Sequence, residues 1–247
     1  MEKPSIALIL AAGRGTRLIP MTNEMPKCLV KVLGKNLLTY QLEAIQLSGI
    51  KDVIIVVGYH GTKIVDFIES EGFNKKLNFT FVENKKFDKT ASCYSLWLSK
   101  EHLKNSYIHL NSDLIFQPEL LLKLIADKRN NGIITSKNIK VEKDMVRFVT
   151  KGERIVKLGK YSEIQKANGF LIGPAKFSSS AAKVLIDHIA LEISQGILNN
   201  ANYLAFGKIL DKIRFYSISA EDYFWKEIDT LEDIKKAGYL LEKLKMT

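Results

Sequence analysis

A chain of 247 residues, 46% hydrophobic and 26% charged, is long enough for one large α/β domain with a substantial core. No apolar stretch reaches the roughly 20 residues of a bilayer span, and the apolar start meets glycines too early for a leader peptide, so membrane insertion is excluded and a cytoplasmic location is expected. The net charge of +10 comes from lysines spread along the chain, with no zinc-finger, RRM or KH pattern, which favours anionic small substrates over nucleic acid.

The first element is an apolar strand over residues 6–10, and it runs into a glycine turn at Gly13 and Gly15. Glycines here permit positive φ and leave no Cβ in the way, so backbone N–H groups can close on a phosphate. Arg14, Arg17 and Lys27 supply three positive charges within fifteen residues, which suits a polyphosphate. Spacing rules out two familiar cradles. No Gly-Lys-Ser/Thr follows, as a Walker A loop requires, and Leu18 stands where a dinucleotide fingerprint needs its third glycine.

Helical spacing follows over 37–45, stopped by Gly49, then a buried strand over 53–57 and a helix over 61–71. A strand over 79–82, a helix over 93–103 and a strand over 107–110 continue the alternation, which argues a parallel-rich, three-layer sheet. Asp113, in Asn111-Ser112-Asp113, lies just past the last of these strands, where ligands bind in open α/β sheets. Taken alone, that tripeptide reads equally as a turn. Residues 145–150 and 154–158 read as a hairpin around a polar turn, followed by a strand over 169–173 and a helix over 179–194. The segment 224–234 closes a strand and caps a helix, with Asp229 or Thr230 at the cap. Cys28 and Cys93 lack metal-ligand spacing and are expected to be reduced. No repeat or linker divides the chain.

The string Leu10-Ala11-Ala12-Gly13-x-Gly15-Thr16-Arg17-Leu18-x-Pro20-x-Thr22-x-x-x-Pro26-Lys27 resembles the signature of the nucleotidyltransferases that activate sugar phosphates and phospho-alcohols. The resemblance implies a three-layer Rossmann-like (GT-A type) α/β fold with a mixed, mostly parallel sheet. The domain would span 1–247, with a nucleotide-binding half over about 1–120 and an acceptor half over about 121–247. It implies that residues 10–17 wrap a nucleoside triphosphate, Arg14 ranking below the others. Arg17 would hold the β,γ-phosphates, Lys27 would neutralise the α-phosphate, and Asp113 and Asp229 would bind Mg²⁺, with Glu227 behind them. No general base is needed, because a phosphate oxygen is already ionised. Glu83-Asn84 and Tyr94-Ser95-Leu96 look like those of bacterial phosphocholine cytidylyltransferases. Glu83, Tyr94 and Ser95 are therefore expected at the base, and CTP is favoured over UTP or dTTP. The partner would be a phosphorylated small-molecule acceptor, phosphocholine-like or a phosphonate. Lys157, Lys176 and Trp225 are its candidate contacts, and aromatic faces at Trp97, Tyr223, Phe224 and Trp225 would suit a choline cation. A sugar-1-phosphate enzyme, a molybdopterin-type cytidylyltransferase and a non-catalytic nucleotide-binding homologue remain the alternatives.

Overall fold

The apolar run Ile6–Ala11 forms β1, a strand buried along its whole length. Successive side chains point to opposite faces of a strand. Ala7, Ile9 and Ala11 accordingly enter one core, while Ile6, Leu8 and Leu10 enter another. A computed structural model describes residues 2–137, 145–160 and 162–245.

After β1 the chain forms a short hairpin, β2 (Lys31–Val32) and β3 (Lys35–Asn36), then α1 (Leu37–Ser48), β4 (Asp52–Val57), α2 (Gly61–Ser70) and β5 (Asn78–Glu83). It continues through α3 (Ser92–Leu98), β6 (Tyr107–Asn111), β7 (Leu114–Phe116), α4 (Pro118–Ala126) and β8 (Gly132–Ser136). The hairpin β9 (Arg147–Lys151) and β10 (Arg154–Gly159) leads to β11 (Gly169–Phe177), α5 (Ser179–Ser194) and α6 (Asn202–Lys208). β12 (Phe215–Ser219), β13 (Trp225–Glu227) and α7 (Leu231–Lys245) complete the described fold.

Nine strands make one mixed sheet in the order β5-β4-β1-β6-β11-β8-β12-β10-β9. β5, β4, β1 and β6 are parallel neighbours, as crossover helices require. β11 then runs antiparallel to both β6 and β8, β12 returns parallel to β8, and the β9–β10 hairpin closes the edge antiparallel. The expected three layers are present: α1, α2 and α4 feed one core, and α3, α5 and α6 the other. The parallel character expected from the sequence belongs chiefly to the first four strands. A short antiparallel ladder between β13 and β7, pairing Glu227 with Leu114, clips the late chain beside the end of β6.

Local chemistry explains most boundaries. α1 ends where Gly49 turns left-handed at φ 80°. α5 starts at Ser178, whose Oγ accepts the Ala181 N–H at 3.2 Å. The helix expected over 93–103 is shorter, because the buried Ser99 hydroxyl donates to the Leu96 carbonyl (2.6 Å) and a 3₁₀ turn over Lys100–His102 follows. The strand expected over 169–173 extends to Phe177 and carries Lys176 into the interior.

His109 on β6 has no solvent exposure, and burial pulls its pKa from 6.5 down to about 4. The unfolded chain therefore takes up a proton between pH 6.5 and 4 that the folded chain refuses, so this residue's contribution to stability falls as the pH drops through that window. From pH 6.5 to 5 the loss should be about 2 kcal/mol. Urea titrations at both pH values should show that difference between the parent chain and His109→Gln, whose slope with pH should be the flatter.

Candidate active site

The loop after β1 is shaped by backbone constraints before any ligand is considered. Gly15 adopts φ 64°, and a Cβ built there would lie 2.9 Å from Lys27 Cβ and 3.3 Å from Thr22 Cγ2. A side chain at this position is excluded both by conformation and by space. The buried Thr22 donates its hydroxyl to the Gly15 carbonyl at 2.8 Å, which ties the glycine turn to the segment leading to Lys27.

Lys27 then reaches under the loop. Its Nζ donates to Asp113 Oδ2 at 2.8 Å and to Asp229 Oδ1 at 2.6 Å, and Arg17 Nη2 lies 2.8 Å from the same Asp229 oxygen. Burial alone would lower the Lys27 pKa. The charges of Asp113 and Asp229, with their hydrogen bonds, outweigh it and hold the ammonium above its ordinary value.

Each acid is fixed by its surroundings. Asp113 sits in the tight turn from β6 to β7, which the buried Gln41 of α1 braces from beneath by donating to the Asn111 and Leu114 carbonyls (2.7 and 2.9 Å). The Ile228 N–H donates to the Asp113 carbonyl at 2.8 Å and joins the two acidic segments. Asp229 precedes α7, where Thr230 and Asp233 form a reciprocal cap. The Asp233 carboxylate accepts the N–H groups of Asp229 and Thr230 (3.2 and 2.9 Å), and the Thr230 hydroxyl accepts the Asp233 N–H (3.2 Å). Glu227 ends β13, and its carboxylate, with those of Asp113 and Asp229, offers oxygens lying within 4.8 Å of one another. Glu227 keeps an edge in solvent, yet the surrounding protein strips much of its hydration. That desolvation, followed by the charges of Asp113 and Asp229, pushes its pKa up to about 8.

A cleft of about 770 Å³ opens above this cluster, a volume typical of ligand sites. Leu10, Ala12, Gly13, Gly15, Thr16, Arg17 and Lys27 line one side, and Asn84, Thr90, Ser92 and Ser95 line the other. A smaller pocket of about 110 Å³ adjoins it at Asp113, walled by Met145, Phe170, Tyr203, Trp225 and Glu227.

The structure thus gathers Arg17, Lys27, Asp113 and Asp229, with Lys27 and Asp229 separated by 202 residues, and places Ser95 in the cleft and Trp225 in the pocket. Other expected contacts lie elsewhere. Ala11 is packed in the core, and the Arg14 guanidinium stacks 5.2 Å from the Tyr59 ring centroid. Glu83 is exposed beside Lys85, because strand alternation turns the next residue, Asn84, inward instead. Tyr94 packs on Trp97 (ring centroids 5.7 Å), since the inner face of α3 repeats as Ser92 and Ser95. Lys157 donates to the Glu163 carbonyl, and Lys176, fully buried, donates to the Asp127 carbonyl at 2.7 Å. Neither lysine lines the cleft or the pocket. Gln41, Asn202 and Tyr203 carried no motif that marked them for this site; Asn84 stood in the quoted Glu83-Asn84 pair and Asn111 in the quoted tripeptide, but they were passed over for Glu83 and Asp113.

Residues 6–147 match the nucleotidyl transferase family. The chain belongs to that family. Among its relatives, the bifunctional IPC transferase and DIPP synthase of Aquifex aeolicus is 30% identical over 96% of this chain and 52% of its own length. Choline-phosphate cytidylyltransferase of Streptococcus pneumoniae is 45% identical over 41% of this chain and 42% of its own. The chain thus spans about half the first relative, and its alignment to the second covers under half of that protein. The structure of the inositol-1-phosphate CTP transferase from T. maritima superposes with a TM-score of 0.81, at 22% identity, over 99% of this chain and 98% of that one. Among the described residues of this nucleotidyl transferase, no helix is long and apolar enough to cross a membrane.

Removing the central cation of the cluster should expose the repulsion among its acids. Lys27→Met is expected to lower the unfolding free energy by about 2–3 kcal/mol at pH 8. The loss should shrink at pH 5, where Glu227, its pKa raised to about 8, carries its proton. Chemical denaturation at the two pH values checks this.

Proposed function

We propose that this chain transfers CMP from CTP to a phosphorylated small-molecule acceptor, a phospho-alcohol or phosphonate, and releases pyrophosphate. The observation that carries the reading is the Lys27 ammonium held between Asp113 and Asp229 beneath the glycine loop, with a separate pocket beginning at the same Asp113. A bound triphosphate would lie along Gly13–Arg17, whose glycines let the backbone approach it. Arg17, 63% exposed, is free to leave Asp229 for the terminal phosphates, while Lys27, 13% exposed, stays fixed at the point where the α-phosphate must sit. The acceptor oxygen attacks the α-phosphorus in line, forming one P–O bond as the bond to pyrophosphate breaks. Charge neutralisation and positioning carry the rate.

The acid cluster fits a Mg²⁺ requirement. Three carboxylates face one buried ammonium and one exposed guanidinium, and hard oxygen donors of this kind suit that ion. Asp113 and Asp229 would hold it, and when bound it supplies further neutralisation of the phosphate charge.

The smaller pocket supports the acceptor class. Phe170 and Trp225 stand with ring centroids 6.0 Å apart, and Glu227, its pKa raised to about 8, is an acid that a cation placed beside it would ionise. Aromatic faces with one acid suit a compact cationic head such as choline or ethanolamine. The cytidylyltransferase names of relatives support CTP.

Pyrophosphate release, measured with Mg²⁺ and each of CTP, UTP, dTTP, ATP and GTP, tests the proposal. The acceptors would be phosphocholine, phosphoethanolamine, 2-aminoethylphosphonate, inositol phosphate and hexose 1-phosphates. Release with CTP and an amine-bearing acceptor, abolished by chelation, is expected. Release only with UTP or dTTP and a hexose phosphate would overturn both the base and the acceptor. Asp113→Asn should reduce kcat by about 100-fold or more in a chain whose circular dichroism shows the fold retained. Trp225→Leu should raise KM for a cationic acceptor by about tenfold, leaving kcat and the KM for CTP nearly unchanged.

A further inference from the structure

Asn202, the first residue of α6, is 1% exposed and lines the cleft beside Asn111 and Tyr203, two residues that the smaller pocket shares. Its Oδ1 accepts the backbone N–H of Tyr203 at 3.0 Å. A backbone N–H can only donate, so the amide nitrogen of Asn202 must point the other way. That nitrogen reaches Asn111 Oδ1 at 3.1 Å and the Nε2 of His109, which places the His109 proton on Nδ1. With its oxygen so engaged, Asn111 presents its own nitrogen to the Tyr203 hydroxyl at 2.9 Å. Tyr203 then gives its proton to the Gly173 carbonyl at 3.3 Å. At the opposite end, Ser92 Oγ accepts the Asn202 N–H at 2.9 Å and gives its proton to Asn202 Oδ1 at 3.1 Å.

One backbone group thus orients the whole series. The donors run head to tail from Ser92 to Asn202, to Asn111, to Tyr203 and to Gly173. Ser92 lines the cleft, and Asn111 and Tyr203 line both cavities. Ser92 has no proton left to give, so a ligand in the cleft engages its Oγ only by donating to it, as an exocyclic amine or a ribose hydroxyl does. Each bond in such a series polarises the next.

We propose that this series is a one-way hydrogen-bond relay through which occupancy of the nucleotide cleft tightens the acceptor pocket, with Asn202 as its positioning residue. The inference rests on the nucleotide reading given above. It adds that the two substrates bind with positive coupling, which by linkage acts equally in both directions.

Side-chain amide NMR of the full chain, titrated with CTP and Mg²⁺, tests it without requiring the acceptor. Asn111→Ala and Asn202→Ala identify the two resonances. In the parent chain, saturation with CTP should move the Asn111 side-chain N–H that faces Tyr203 downfield. In Ser92→Ala saturated with CTP that resonance should stay in place, and Ser92→Thr, which keeps the hydroxyl, should restore the shift. An Asn111 resonance that ignores CTP while loop resonances at Gly13 and Gly15 respond would overturn the relay alone, as would an equal shift in Ser92→Ala. No response to CTP anywhere in the cleft would overturn the nucleotide reading, and the relay with it.

Discussion

The site is organised by a single ammonium group. Lys27 Nζ makes two short bonds to carboxylates 86 and 202 residues away in sequence. A charge this far from bulk water is tolerated only with its partners in place, and its partners tolerate each other only because it lies between them. Satisfying it draws together the glycine loop, the turn after β6 and the cap of α7. Gly15 has no side chain because Lys27 passes directly beneath it. Gln41 braces the Asp113 turn, and the Thr230–Asp233 cap fixes Asp229. These supports act on the backbone, so the acids keep their positions whatever the charge state of the cleft.

The same arrangement sets how the charges respond to a polyanion. Arg17 and Lys27 both pair with Asp229 Oδ1, but one is exposed and the other nearly buried. The exposed guanidinium exchanges partners at little cost because water screens it. The buried ammonium is held by its two acids, so an anion that is to meet it must come to it. Glu227, raised to about 8, gives the cluster a third acid whose charge depends on what occupies the site. The cleft and the smaller pocket meet at these groups, which places any reaction between their contents beside the fixed charges.

Two contacts identified from spacing show how far a one-dimensional reading extends. The glycine loop was legible because its constraint is local: positive φ at Gly15 and the offset to Lys27 are properties of consecutive residues. Asp113, which alone reads equally as a turn residue, stood out because the loop's family resemblance favoured a ligand role for a carboxylate just past a parallel strand. Glu83 and Tyr94 were placed one position away from the residues that line the cleft. Which side of a strand or helix faces a cavity depends on what packs behind it, and neighbouring residues face opposite ways. Lys176 read as a surface charge able to meet an acceptor, yet β11 runs four residues further than its apolar core suggested and takes that lysine inside.

The sequence by itself determined the glycine loop and the alternation of strand and helix, which rest on short spacing and local periodicity, and it singled out the four charged residues at the centre through the family resemblance that the loop carries. The tertiary structure alone decided the antiparallel course of β11 and the small ladder between β7 and β13 that brings Asp229 to Asp113. It also decided the aromatic pocket around Trp225 and the ordered series from Ser92 to Gly173. Those features arise where segments far apart in the sequence touch, and the energy that selects them resides in packing and in hydrogen bonds between partners that no local pattern encodes.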